Sequence, residues 1–267
     1  MKLNTLMFFL LIAPIKLVFA KDYEAADELY TQGKYTDGLK MLEMEFVQAN
    51  PDPELIWRLS RFYFEIAEQT DKKNKKVKIE YYTKGMDIAK QFLEITYGDK
   101  LARAQIIFWY TANYGSRGET IGIKESLDIV PELFNLADRA LELDPTFAAP
   151  YLLKGRIDSS VPSFLGGDKF RMGVNLSKAI YYNPNDMSLL VDSSVAFLNR
   201  DWSVSEKKKK AVNKQGETDG TPLDLSDKDY AKKLLEQAVE LYKTIESPSK
   251  RDEMKLNEAE GLLKKIQ

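Results

Sequence analysis

Apolar side chains along this chain recur three and four positions apart, the spacing that gathers them on one face of an α-helix. The stretch from Glu54 to Gln69 is representative. Leu55, Leu59, Phe62 and Ile66 make one stripe, Trp57 and Phe64 widen it, and Pro53 stands where a helix start tolerates a missing N–H. The same period predicts helices over Tyr23–Tyr30, Thr36–Ala49, Ile79–Thr96, Lys100–Glu119, Ile123–Leu143, Tyr151–Ser159, Met187–Asn199, Tyr230–Ile245 and Ser249–Ile266. Pro131 predicts a kink or break near Ile129. From Asp201 to Lys228 the period is lost. Lys207 to Lys210, Gly216, Gly220 and Pro222 give the composition of a mobile loop, so residues 203–228 are expected to be a mobile insertion, dispensable for the fold. Alternating strand-type patterning is absent, and the expectation is an all-α chain.

One phrase occurs twice. Ala137 to Pro145 (ADRALELDP) returns as Leu176 to Pro184 (LSKAIYYNP), each copy with a small residue (Ala140, Ala179) for close packing and a proline stop. Helix, glycine turn, helix, proline is the order of a tetratricopeptide repeat, whose period is about 34 residues. Pro145 and Pro184 are 39 positions apart, so this copy carries an insertion, placed at Ser160 to Leu165. Gly33, Tyr35, Gly38, Leu42 and Pro51 fit a second copy. The expected architecture is a tetratricopeptide-type solenoid over residues 21–267. The helix from Ser249 caps its open end.

Composition narrows the chemistry. Lys2, the apolar run Leu3–Ala13 and Val18-Phe19-Ala20 read as a secretory signal peptide over residues 1–20. Pro14 and Lys16 leave the run short of the ~20 residues of a span, and no later stretch suits one, so no transmembrane segment is expected in the mature chain. Without that leader's two lysines, 39 basic residues become 37 against 41 acidic ones, and a charge of −4 gives no general affinity for nucleic acid. Neither cysteine nor histidine occurs. That removes the usual zinc ligands, Ser–His–Asp and Cys–His chemistry, and any lipobox acylation. The chain is expected not to be an enzyme and to use no cofactor or metal.

Candidate binding residues lie on the first helices of the pairs. Trp57, Tyr63, Trp109, Tyr110 and Tyr114 are packing residues or, on a concave face, contacts for a partner. Arg58 and Arg61, three apart on one helix, form surface ion pairs or jointly grip a carboxylate. Asn113, one turn after Trp109, would orient a ligand if that face lines a cavity. Gly166, Gly167 and Asp168 read as a structural turn, with two glycines for positive φ and an aspartate N-cap for the helix from Lys169.

Three phrases go beyond a generic repeat: IWRLSR (Ile56 to Arg61), FWYTANYG followed by GIKESLDIVPEL (Phe108 to Leu133), and VPSFLGGD (Val161 to Asp168). In order and spacing the chain resembles the T components of periplasmic TRAP transporters (TatT-like proteins), well over roughly Lys100 to Asn199 and loosely elsewhere. The resemblance implies a non-enzymatic periplasmic protein that binds a TRAP solute-binding protein and forms a homo-oligomer. The contact surface expected from the residues themselves is Trp57, Arg58, Arg61, Trp109, Tyr110 and Asn113, an aromatic wall with a few convergent polar groups. The alternative is a binder of a small apolar or lipid-like ligand in a cavity of the solenoid. WRLSR and WY…GIK are also similar to the tetratricopeptide regions of eukaryotic regulators of microtubule dynamics. Against that stands the leader, which favours a periplasmic or secreted address.

Overall fold

The structure, a computed structural model, describes residues 23–46 and 52–266. Its regular elements are α1 (Glu24–Thr31), α2 (Tyr35–Glu45), α3 (Pro53–Gln69), α4 (Lys75–Lys90), α5 (Lys100–Ile121), α6 (Ile123–Asp128) and α7 (Val130–Leu143). They continue as α8 (Ala148–Ser160), a 3-10 turn (Ser163–Leu165), α9 (Lys169–Tyr182), α10 (Met187–Arg200), α11 (Val204–Lys210), α12 (Asp227–Tyr242) and α13 (Lys250–Ile266). Among the described residues there is no strand, only an isolated bridge between Val212 and Thr218. The chain is all-α.

Polar residues set the helix starts. Asp52, Asp99, Asp168 and Asp186 each accept a backbone N–H in the first turn of α3, α5, α9 and α10, and Ser203 with Glu206 closes a capping box on α11. The break before Pro131 falls at Ile129, between α6 and α7.

Most helices adjacent in the chain pack against each other, α5 packs on α7 and α10 on α12 past the short α6 and α11, and α3 also packs on α5, α5 on α8, α8 on α10 and α10 on α13. This makes one row of helices (α3, α5, α8, α10, α13) with α4, α7, α9 and α12 behind it. The core between the rows is continuous in kind: Leu55, Leu59 and Phe62 near the start, Ile56, Ile106 and Leu136 in the middle, Leu176, Leu190 and Leu235 toward the end. Each such side chain contributes roughly 1.5–3 kcal/mol when fully buried. Ala140 and Ala179, the small residues of the repeated phrase, are wholly buried.

Two expectations change, and one stretch that the periodicity left unassigned is settled. Residues 203–228 are anchored in the fold at several buried points, although most of 208–218 is exposed. Lys207, Asp219 and Asp227 are fully buried there, because Arg200 at the end of α10 and Asp227 at the start of α12 draw the segment in. The lysine-rich stretch from Asp71 is a loop only to Asn74, and Lys75 to Lys78 form the first turn of α4. Helix α2 ends at Glu45, short of Ala49. The proline stop at Pro51 lies outside the described residues, as does the signal peptide read over 1–20. None of the described helices is long and apolar enough to cross a membrane.

Candidate functional site

The helix row curves far enough for its last member to meet its first. Arg251 of α13 hydrogen-bonds Glu65 of α3 and the hydroxyl of Tyr30 in α1. Inside this closure lies a cavity of about 730 Å³, walled by residues of α1, α3, α5, α8, α10 and α13. One wall is aromatic. Trp109 meets Phe64 edge-on at 5.5 Å and Phe108 at 5.1 Å, and Phe108 meets Phe147 at 5.2 Å. The indole Nε1 of Trp109 donates to Gln105 at 3.0 Å, which holds the ring in place. The lining also carries charge, from Arg156, Asp186, Asp192 and Arg251.

Trp57, Arg61 and Trp109 border this cavity. Arg58 does not. Its guanidinium grips Asp27 of α1 at 2.7 Å and Glu54 at 2.6 Å and stacks on Trp57, 4.2 Å from the ring centroid. Arg61 pairs with the same Asp27 and lies over Tyr30 at 3.8 Å. The arginines therefore do grip a carboxylate jointly, and it is the chain's own. Burial alone would raise the Asp27 carboxyl, but hydrogen bonds from Arg58 and the charge of Arg61 outweigh it and hold the group below its ordinary value.

Tyr110 and Asn113 do not face the cavity either. Tyr110 is buried in the core with Ile56 and Ile106. Asn113 has no exposed surface, and its Nδ2 donates to the Ser60 carbonyl at 3.1 Å and the Trp109 carbonyl at 2.8 Å. Helix α5 is wedged between α3, α4 and α7, so only the side bearing Trp109 is left for the cavity. The six residues read from sequence as one surface split into three on the cavity wall and three in packing.

At the turn, Gly166 has φ 98° and a Cβ on Gly167 would lie 1.8 Å from the Val161 carbonyl oxygen. Asp168 accepts from the Phe170 and Arg171 amides at 2.8 and 3.0 Å. These residues shape the backbone and are not among those that line this cavity.

Two clusters escaped the sequence reading: Tyr30–Glu65–Arg251, and the fully buried Arg200 between the equally buried Asp219 and Asp227. Their partners lie 19 to 221 positions apart, and no local pattern announces them. Among the described residues no group of side chains could hold a metal ion.

The family model for regulator of microtubule dynamics protein 1-3 matches residues 22–163, just over half of the chain. A relative, regulator of microtubule dynamics protein 1 of Caenorhabditis elegans, is 24% identical over 184 residues, covering 68% of this chain and 77% of that protein. These matches overturn the transporter resemblance. A TRAP T component, a partner to its solute-binding protein, and the alternative of a periplasmic binder of apolar ligands all fall with it. The periplasmic or secreted address conflicts with the same matches.

Proposed function

The chain belongs to the regulator of microtubule dynamics protein 1-3 family, and from that membership we propose that it regulates microtubule dynamics by binding protein, without catalysis. The observation that carries this reading is the family match, whose span includes α1 to α8 and the aromatic cavity wall. The name of the nematode relative supports it.

The scaffold is a tetratricopeptide-type solenoid. The two-row packing of helices, the repeated alanine–proline phrase and the wholly buried Ala140 and Ala179 support it. Each helix of the front row turns one side toward a shared concavity, as stacked repeats do. Trp57, Arg61 and Trp109 on that wall are the contacts proposed for a segment of the protein partner, because rigid aromatic and arginine side chains supply most binding energy at interfaces.

The test is to add the purified chain to tubulin and follow single-filament growth, shrinkage and co-sedimentation. A dose-dependent change in growth or catastrophe frequency is the expected result. Unchanged dynamics together with no association with tubulin or microtubules would overturn the reading. Trp109→Ala is expected to weaken a bound partner by about 2 kcal/mol, roughly 30-fold.

A further inference from the structure

We infer that the lysine cluster at the start of α4 is a docking surface for an acidic, glutamate-rich peptide segment. The inference rests on the proposed function for the owner of that segment, the microtubule or its tubulin subunits, and on geometry for the surface itself.

Five of the seven residues from Lys72 to Lys78 are lysine, and no acid lies between Asp71 and Glu80. The whole chain is slightly acidic, with a net charge of −2, so this local excess is not a reflection of composition. Lys72, Lys73, Lys75 and Lys76 are exposed. Among the described residues none of these four has a carboxylate within 4.0 Å, whereas Lys84, Lys154, Lys210, Lys243 and Lys255 each do. Their charge is therefore not spent within the fold.

Beside them runs a groove of about 270 Å³. Lys72, Lys75 and Lys78 form one side, Tyr82 and the Ser116 and Thr120 hydroxyls of α5 another. Lys78 is fixed, 5.7 Å from the Tyr82 ring centroid and 4.0 Å from Glu68, whose carboxylate also accepts from the Tyr82 hydroxyl. Glu68 and Glu119 also line the groove and would repel a carboxylate that went deep. An acidic peptide is thus held along the lysine rim, its backbone against the hydroxyls. An extended segment with several carboxylates can engage four separate ammonium groups, which a single small anion cannot. A lipid surface fits less well. Val77, 41% exposed, is the sole large apolar side chain on α4 that faces solvent, and an interfacial helix needs a bulky apolar face beside its lysines.

The experiment measures binding of a fluorescent oligoglutamate peptide by the full chain and by K72Q/K73Q/K75Q/K76Q. The control K208Q/K209Q/K214Q/K233Q removes the same charge from four other exposed lysines. Exposed substitutions of this kind leave folding nearly intact, which circular dichroism verifies. The expected result is salt-sensitive binding that falls by about tenfold or more in the first variant and persists in the control. Equal loss in both variants, no binding by the native chain, or patch-dependent binding to phosphatidylserine vesicles without peptide binding would overturn the proposal. Microtubule co-sedimentation separates the two readings. Equal sedimentation of native chain and patch variant sinks the surface and leaves the function. Patch-dependent peptide binding without any microtubule effect sinks the function and leaves the surface.

Discussion

Arg251 on the last helix donates to Glu65 on the third, across 186 positions of sequence. Glu65 is 3% exposed and also accepts from the Tyr30 hydroxyl at 2.7 Å, so three helices meet at one carboxylate. The contact sits where the helix row returns to its start, and it turns an open curve into an enclosure with a cavity inside. A carboxylate buried this far needs its cation. The tyrosine shows the same environment from the other side: burial and then the Glu65 charge push its hydroxyl well above the usual range.

Removing the clasp is therefore expected to destabilise the fold and loosen its closure. Arg251 is 38% exposed, so Arg251→Ala should fall toward the low end of the roughly 3–5 kcal/mol seen when one partner of a buried pair is lost. Urea unfolding measures the loss, and hydrogen exchange should rise in α1 and α13 while α8 and α9 keep their protection. Unchanged exchange at both ends of the chain would show that the pair is incidental to closure.

A larger effect is expected at Arg200. Its Nη1 bonds Asp219 at 2.6 Å, its Nε and Nη2 bond Asp227 at 2.7 Å, and its guanidinium lies 4.2 Å from the Trp202 ring centroid. Lys207, also fully buried, lies 3.4 Å from Asp227. Arg200→Met would leave two aspartates facing one lysine in a dry site, costing about 3–5 kcal/mol. Arg200→Lys should recover little, because one ammonium cannot replace a fork that serves two carboxylates. Deleting residues 207–220 should likewise cause a cooperative loss of structure. A denaturation midpoint unaffected by Arg200→Met would reject this view.

The same residue type explains why the sequence was legible in one respect and opaque in another. Helix positions could be read because periodic apolar spacing is a local property, and Ala140 and Ala179 kept the buried role that their repeated phrase implied. Lysine runs could not be read this way. Lys72 to Lys76 and Lys207 to Lys210 look alike in sequence, yet Lys207 is buried while Lys72 and Lys73 are solvated. The difference is Asp227, twenty positions downstream, which only α12 brings within reach. The six proposed contacts divided for a related reason. Spacing says which residues share a helix face, but not whether a cavity or another helix lies against it. Family assignment failed on specificity. The phrases from IWRLSR onward fall mostly within residues 22–163, but helix-pair phrases of this kind recur across repeat proteins, and the leader tipped the reading toward export.

Acid should weaken the N-terminal end through Asp27. The Asp27 carboxyl is held below its ordinary value in the folded chain. A lowered carboxylate binds fewer protons folded than unfolded, so its contribution is complete above the unfolded pKa, near 4. It is lost as pH falls through the lowered value. Asp27→Asn should therefore flatten the acid limb of stability against pH below about 4, without changing its shape near neutrality. Because Asp27 is 37% exposed, the effect should shrink in high salt. Identical acid limbs for native chain and variant would dismiss the coupling.

Asn113 offers the sharpest separation of packing from binding. Its side chain lies against Gly85, where a Cβ would come within 2.5 Å of Oδ1, and its amide joins α5 to α3 through the Ser60 carbonyl. Ser60 in turn donates to the Gly85 carbonyl at 2.8 Å, so three helices share one polar knot. Asn113→Ala should cost about 1–3 kcal/mol, since the polar groups it serves stay buried. Gly85→Ala alone should cost a similar amount, about 1–3 kcal/mol, by overpacking. Together they should cost less than their sum, because the first substitution vacates the volume that the second one fills. A double-mutant cycle is expected to show favourable coupling of roughly 1 kcal/mol, within the range for residues in contact. Strict additivity would mean that the two side chains do not compete for the same space. Asn113→Ala should also leave the affinity for tubulin unchanged in the folded protein. If affinity fell while stability held, Asn113 would belong to the binding surface after all.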